Sequence, residues 1–305
     1  MKDTVFFKQA ELLLRILPLI HKEEAFALKG GTAINFFVRE LPRLSVDIDL
    51  TYLPVNERGF AMDDISHGLI RISKEIKRRI PGSRIVLKNV LGTKTLKGMV
   101  VNQEGATVKI EPNLVLRGSV YPPEIRTLSK RAQDLFELSV QSRTLSMDEL
   151  YAGKICAALD RQHPRELFDA HFLFKKEGLT AKIRRAFIVY LISHPRPMIE
   201  ILNPHPKDMI DIFEKEFKNM IDKDVTYYDL DRTRDNLVSL LRNELTTEER
   251  RFIVSVKEGH PRWELLALKG IENLPAVKWK LLNIGKMDPS KHQEVVFKLR
   301  DYLGI

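Results

Sequence analysis

The stretch from Leu28 to Tyr52 constrains this chain more than any other. It holds Lys29-Gly30-Gly31-Thr32, a short apolar run, and then Ser45-Val46-Asp47-Ile48-Asp49-Leu50. The first part reads as a glycine turn opening a helix, the last as a strand. Side chains alternate along a strand, so Asp47 and Asp49 point one way while Ile48 and Leu50 point the other. The Cα atoms of the two aspartates then lie roughly 6.5–7 Å apart, close enough for both carboxylates to reach one metal ion. Like charges on one face repel unless a cation or a proton relieves them. Mg²⁺, which takes oxygen ligands, suits that role. The glycine turn leaves backbone N–H groups at a helix N-terminus, which is a cradle for phosphate.

Around this stretch the chain divides into an α/β half over residues 1–144 and a helical half over 145–305. Phe6 to Ile20 has helical spacing, with Pro18 expected to kink or end it. Ala25 to Leu28 reads as a short strand, Thr32 to Arg39 as a helix, and Ser45 to Tyr52 as the acidic strand. A helix over about 62–80 stops at Pro81-Gly82, and Asp63-Asp64 reads as an acid pair at its start. Ile85 to Leu87, Leu96 to Asn102 and Ala106 to Glu111 are β-rich runs split by glycines, expected to be antiparallel neighbours. Asp134 to Val140 reads as a weaker last strand. Helices follow at about 147–159, 165–176, 180–192, 206–221, 231–243 and 247–256, with capping boxes at Ser146/Glu149 and Thr246/Glu249. Three short helices end the chain, the last opened by Asp288-Pro289.

Composition narrows the class. A 305-residue chain with 44% hydrophobic and 30% charged residues is ordinary globular protein. The lone cysteine, Cys156, rules out an intramolecular disulfide and sits in an apolar helix, as a buried inert thiol would. Met1-Lys2-Asp3-Thr4 carries no signal pattern, and no apolar run is long enough to span a bilayer. A cytoplasmic protein is expected. The net charge of +9 is weak support for a polyanionic partner. His163, His171, His194 and His205 lack metal-ligand spacing. Arg184-Arg185 and the run from Lys74 to Arg79 read as solvated helix faces.

A second constellation lies in the helical half. On the helix over 147–159, Lys154 shares a stripe with Leu150, Tyr151, Ile155 and Ala158, so it emerges from the buried face. A lysine there must find an anion or lose its proton. Asp169 lies within the apolar run from Leu167 to Phe174, which would penalise an unpaired carboxylate. A structural Lys154–Asp169 or Arg165–Asp169 ion pair and a place in a functional site are both open. The same holds for Glu111, which ends Thr107-Val108-Lys109-Ile110-Glu111 on the side opposite Val108 and Ile110. It is either a third carboxylate for the acidic strand or an exposed strand-end glutamate.

Glycine turn, helix and Asp-x-Asp strand resemble the core of DNA polymerase β-like nucleotidyltransferases. The wording Lys29-Gly30-Gly31-Thr32-Ala33, then Leu41-Pro42-Arg43-Leu44-Ser45-Val46-Asp47-Ile48-Asp49-Leu50, resembles the narrower AbiEii/AbiGii family of toxins. So do Leu150-Tyr151-Ala152-Gly153-Lys154 and the run from Arg161 to Asp169. The resemblance covers about residues 24–175. The general superfamily has Gly-Ser where this chain has Gly30-Gly31-Thr32, and the family often has aspartate where this chain has Glu166.

The resemblance implies an α+β fold: a polymerase β-like core, with a mixed or antiparallel sheet and flanking helices, followed by a helical C-terminal half. It implies metal ligands at Asp47 and Asp49, joined by Glu111, and nucleotide-binding residues at Lys29, Gly30, Gly31, Thr32 and Arg165. Lys154 and Asp169 would complete the catalytic set. The cofactor would be a pair of Mg²⁺ ions with an NTP as co-substrate. The activity would be transfer of a nucleoside monophosphate to an acceptor hydroxyl, the 3′ end of tRNA, within a toxin–antitoxin or phage-abortive system with a cognate antitoxin. The alternatives are nucleotidylation of a protein hydroxyl, and a non-catalytic nucleic-acid- or protein-binding module on the same fold.

Overall fold

The computed structural model describes residues 4–221 and 224–305. Met1, Lys2 and Asp3, part of the signal-pattern reading, lie outside them. The chain forms two compact units, one of Met1–Leu150 with Lys218–Lys223, the other of Tyr151–Phe217 with Asp224–Ile305.

The first unit is built on a mixed seven-stranded sheet in the order β3-β4-β5-β2-β1-β7-β6. Its strands are β1 (Phe26–Lys29), β2 (Asp47–Tyr52), β3 (Arg84–Asn89), β4 (Leu96–Gln103), β5 (Ala106–Asn113), β6 (Glu124–Thr127) and β7 (Gln141–Thr144). β3, β4 and β5 pair antiparallel, as expected, while β2 runs parallel to β5 and antiparallel to β1. Ile48, Leu50, Val101, Val108 and Ile110 are fully buried. Full burial of such side chains is worth about 1.5–3 kcal/mol each. A one-residue slip of β2 would exchange Ile48 and Leu50 for Asp47 and Asp49, so hydrophobic burial fixes which face carries the carboxylates.

Helices α1 (Val5–His21), α2 (Gly30–Ala33), α3 (Arg58–Arg79) and α4 (Lys130–Phe136) complete this unit. The Thr4 hydroxyl accepts the Phe7 N–H at 3.2 Å and opens α1. Pro18 does not end α1, because it falls in the last turn while Leu17, Leu19 and Ile20 around it are buried. α2 starts at Gly30 and widens into a π-helical turn over Ile34–Val38. Such insertions are frequent at functional sites. α3 starts earlier than expected, capped by Glu57. Asp63 and Asp64 therefore lie beyond its first turn; instead Asp64 accepts the Tyr52 hydroxyl at 2.7 Å. The strand expected over Asp134–Val140 is not formed: α4 runs to Phe136, Glu137 turns left-handed (φ 53°), and β7 begins at Gln141.

The second unit is helical. It comprises the rest of α5 (Met147–Arg161), α6 (Pro164–Lys176), α7 (Ala181–Ser193), α8 (Met198–Leu202), α9 (Ile210–Ile212), α10 (Tyr227–Glu244), α11 (Thr247–Lys257), α12 (Pro275–Gly285) and α13 (Pro289–Leu303). The expected helix over 206–221 is broken into α9, a π-helical turn over Phe213–Phe217 and a 3₁₀ turn over Lys218–Met220. Capping boxes at Thr226/Asp229 and Thr246/Glu249 open α10 and α11. Arg184 is not solvated as expected: its Nε donates to the buried Glu249 carboxylate at 2.6 Å. The Cys156 thiol is buried and pushed up to about 12 by desolvation, as an inert thiol should be. Among the described residues no helix is long and apolar enough to cross a membrane.

Candidate active site

The acidic strand and its neighbours make a short lattice of polar side chains on one sheet face. In register, Lys29 of β1 lies opposite Asp49, Asp49 beside Glu111 of β5, and Asp47 beside Lys109. Registered partners point to the same face, so all three predicted carboxylates stand together on the side opposite the core. Asp47 and Asp49 are half-buried and Glu111 is exposed. Sequence reasoning therefore placed Glu111 on the correct face; the register with Asp49 is what the structure adds.

Two glycines make room for this lattice. Gly30 has φ +74°, and a Cβ there would sit 2.6 Å from Asp49 Oδ2. The turn thus presses its backbone against the carboxylate. On β4, a Cβ at Gly98 would lie 2.5 Å from the Ile110 carbonyl oxygen and 3.2 Å from Glu111 Cγ. Glycine inside a strand commonly marks such a close approach. Gly31 faces another neighbour, since a methyl there would collide with the Arg43 guanidinium.

Arg43 is buried, donates from Nη1 to the Leu44 carbonyl at 2.9 Å, and pairs by backbone with Ile221. The Leu44 N–H donates to Met220 at 3.0 Å. Thus the loop before β2 is pinned by the returning segment after Phe217. Sequence reasoning missed Arg43; its signal was a charge set between Leu41-Pro42 and Leu44, which only a buried partner could tolerate. Thr32 is also buried, and its hydroxyl lies 2.9 Å from Ser45 Oγ and donates to the Asp47 carbonyl at 2.6 Å. Its side chain ties α2 to the start of β2, so anything it offers a phosphate comes from its backbone.

In the second unit the predicted residues meet in a buried ion network. Lys154 pairs with Glu166 and, at 3.0 Å, with Asp169; Arg161 reaches Glu166 at 2.7 Å. Desolvation pushes the Glu166 carboxyl up, but Lys154 and Arg161 outweigh it and hold the group below its usual range. Lys154 is 7% exposed and Asp169 1%. The longer reach of Glu166 is thus used to meet Lys154 and Arg161 together. Arg165 is half-buried, and its backbone N–H donates to His163 Nδ1 at 3.1 Å, the cap of α6.

Among the described residues no three His, Cys, Asp or Glu side chains converge as a ready-made metal cage. The donor set nevertheless suits Mg²⁺, which is commonly held by one or two carboxylates plus substrate phosphates rather than by an all-protein shell. Asp47 and Asp49 on one strand, with Glu111 in register, supply oxygen ligands of that kind.

A family model described as nucleotidyl transferase AbiEii toxin, type IV TA system, matches residues 11–268. The chain belongs to the AbiEii family. Its structure is similar to that of MenT4, a nucleotidyltransferase toxin from Mycobacterium tuberculosis H37Rv. The TM-score is 0.62 at 13% identity, with 92% of this chain and 93% of that one covered. That likeness extends the shared α+β fold through the helical half of this AbiEii protein. No curated protein matches it by sequence.

Proposed function

We propose that this AbiEii nucleotidyltransferase moves a nucleoside monophosphate from an NTP to a hydroxyl at the 3′ end of tRNA, with Mg²⁺ held at Asp47 and Asp49. The observation that carries the reading is the registered row Lys29–Asp49–Glu111, with Gly30 packed on the Asp49 carboxylate. Two Mg²⁺ ions, when bound, lower the pKa of an attacking hydroxyl and neutralise the departing pyrophosphate.

The chain's own groups have distinct tasks. Asp47 and Asp49 bind metal, and Glu111 supplies the third carboxylate and accepts the acceptor's proton. Backbone N–H groups of Gly30, Gly31 and Thr32, with the Lys29 ammonium, receive the phosphates. For Lys154, Asp169 and Arg165 the support is the family's motif order together with the buried network around Lys154. A cognate antitoxin follows from the toxin family.

The test is to incubate the protein with each labelled NTP, Mg²⁺ and total tRNA. Label is expected on RNA with the wild type and on nothing with Asp49→Ala, whose circular dichroism should match the wild type. Label on protein alone would move the acceptor to a protein hydroxyl. A folded Asp49→Ala variant that still transfers would sink the metal-site assignment.

A further inference from the structure

The face that carries the carboxylates continues past them. Across β4 and β3 its registered partners are Val100 beside Lys109, then Val86 beside Val100, with Lys88 opposite Gly98 and Arg84 opposite Asn102. Arg84, Lys88 and Lys109 are exposed, and Val86 is 47% exposed. None of the three cations enters an ion pair among the described residues. Some other exposed cations of this unit do, as Arg71 with Glu23, Arg78 and Arg79 with Glu75, and Lys130 with Asp134, while others such as Lys74 and Lys97 do not. What sets Arg84, Lys88 and Lys109 apart is that they share the face of the carboxylates. Lys109 and Lys88 are two strands apart and two residues out of register, roughly 12 Å, and Arg84 lies about 13 Å along β3 from Lys88. Gly98 leaves a notch between Lys88 and Glu111 where no side chain rises.

We propose that this open face of β3, β4 and β5 is the landing surface for a nucleic-acid acceptor strand. The strand would be held by its phosphates at Arg84, Lys88 and Lys109, with its terminal hydroxyl delivered to Glu111. This rests on the transferase reading above and adds the path of the acceptor. Charge complementarity argues for the occupant: a flat face with widely spaced, uncompensated cations matches a regular polyanion. From Arg84 to Asn113 the sequence contains no aromatic residue. Bases therefore find no stacking platform, and binding is by phosphate with little sequence preference.

The experiment measures binding of a labelled single-stranded RNA, about a dozen nucleotides long, by fluorescence anisotropy across a salt series without NTP. The triple variant Arg84→Gln, Lys88→Gln, Lys109→Gln should raise Kd at least about tenfold and flatten the log–log salt slope by about 2. A charge-matched control, Lys269→Gln, Lys278→Gln, Lys286→Gln, removes three exposed cations of the other unit and should bind as wild type. Arg84→Lys, Lys88→Arg, Lys109→Arg should also bind as wild type, which excludes misfolding as the cause of the loss. Equal weakening in the first two variants, or in neither, overturns the surface. The labelling assay separates the two claims. If wild type and the glutamine triple variant label RNA equally well, the transferase reading stands and this surface falls. If wild type binds RNA through this face yet transfers nothing, the surface stands and the transferase reading falls.

Discussion

Gly30 shows how one residue can serve a fold and a site at once. Its φ of +74° costs an L-residue about 1–2 kcal/mol, and its Cα lies where any methyl would strike Asp49 Oδ2. Gly82 has nearly the same backbone angle, +75°, but open space around it. Gly30→Ala and Gly82→Ala should therefore lower Tm by similar backbone amounts, with a further loss for Gly30→Ala from the collision. Only Gly30→Ala should lose transfer, measured well below both melting temperatures. Equal transfer by the two variants would mean that the turn does not position Asp49. From the sequence, Gly30 and Gly31 were legible as a turn opening a helix, and α2 does start at Gly30. Their pressure against Asp49 and Arg43 was not legible, since it depends on which side chains a distant segment delivers. Thr32 illustrates the same limit: a hydroxyl in a phosphate-type turn carries no mark of being used by Ser45 and the Asp47 carbonyl.

Among the elements, α5 and α6 carry the sharpest open question, because Lys154 is held by Glu166 and Asp169 in a buried network. Removing one partner of such a network leaves uncompensated buried charge, at a cost of about 3–5 kcal/mol. Lys154→Met should lose that much stability in urea titrations and lose transfer as well. Adding Glu166→Gln and Asp169→Asn neutralises what Lys154 leaves behind and should restore most of the stability. If transfer returns with stability, the Lys154–Asp169 pair serves the fold alone; if the stable triple variant stays inactive, that pair is part of the chemistry. The helix pattern made this pair legible, since a lysine on a buried stripe and an aspartate in an apolar run each demand a partner. The strand read over Asp134–Val140 failed for a physical reason. Leu138 and Val140 alternate with polar residues as in a strand, but Phe136 is buried at the end of α4 and the left-handed Glu137 ends the helix. Short alternation cannot separate a helix end plus turn from a strand.

At the scale of the whole molecule, the chain forms two compact units, with α5 divided between them and Lys218–Lys223 returning to the first. No local pattern announces that return; it is specified by backbone bonds such as Leu44 to Met220. Both units share a titration property. His21, His163, His171 and His194 all have pKa values lowered chiefly by burial. In three of them Nδ1 accepts a backbone N–H: His21 from Arg143, His163 from Arg165, His194 from Arg196. Asp160, 3.6 Å from His194, pulls the other way but does not overcome desolvation. With folded values below the unfolded 6.5 or so, the native state binds fewer protons than the unfolded chain. Stability from these rings is complete above that pH and is lost as pH falls through the folded values. Glu166, lowered by its cations, gives way only at more acid pH, below its unfolded value near 4.5. The interval from about pH 6.5 to 5 therefore belongs to the histidines, and Tm should fall steadily across it. His163→Asn keeps a capping side chain at the start of α6 without a titrating ring, so its Tm should fall less steeply over the same interval. A wild-type Tm that is flat from pH 7 to 5 would mean that the rings protonate without giving up their acceptor roles, which a lone pair on Nδ1 does not permit.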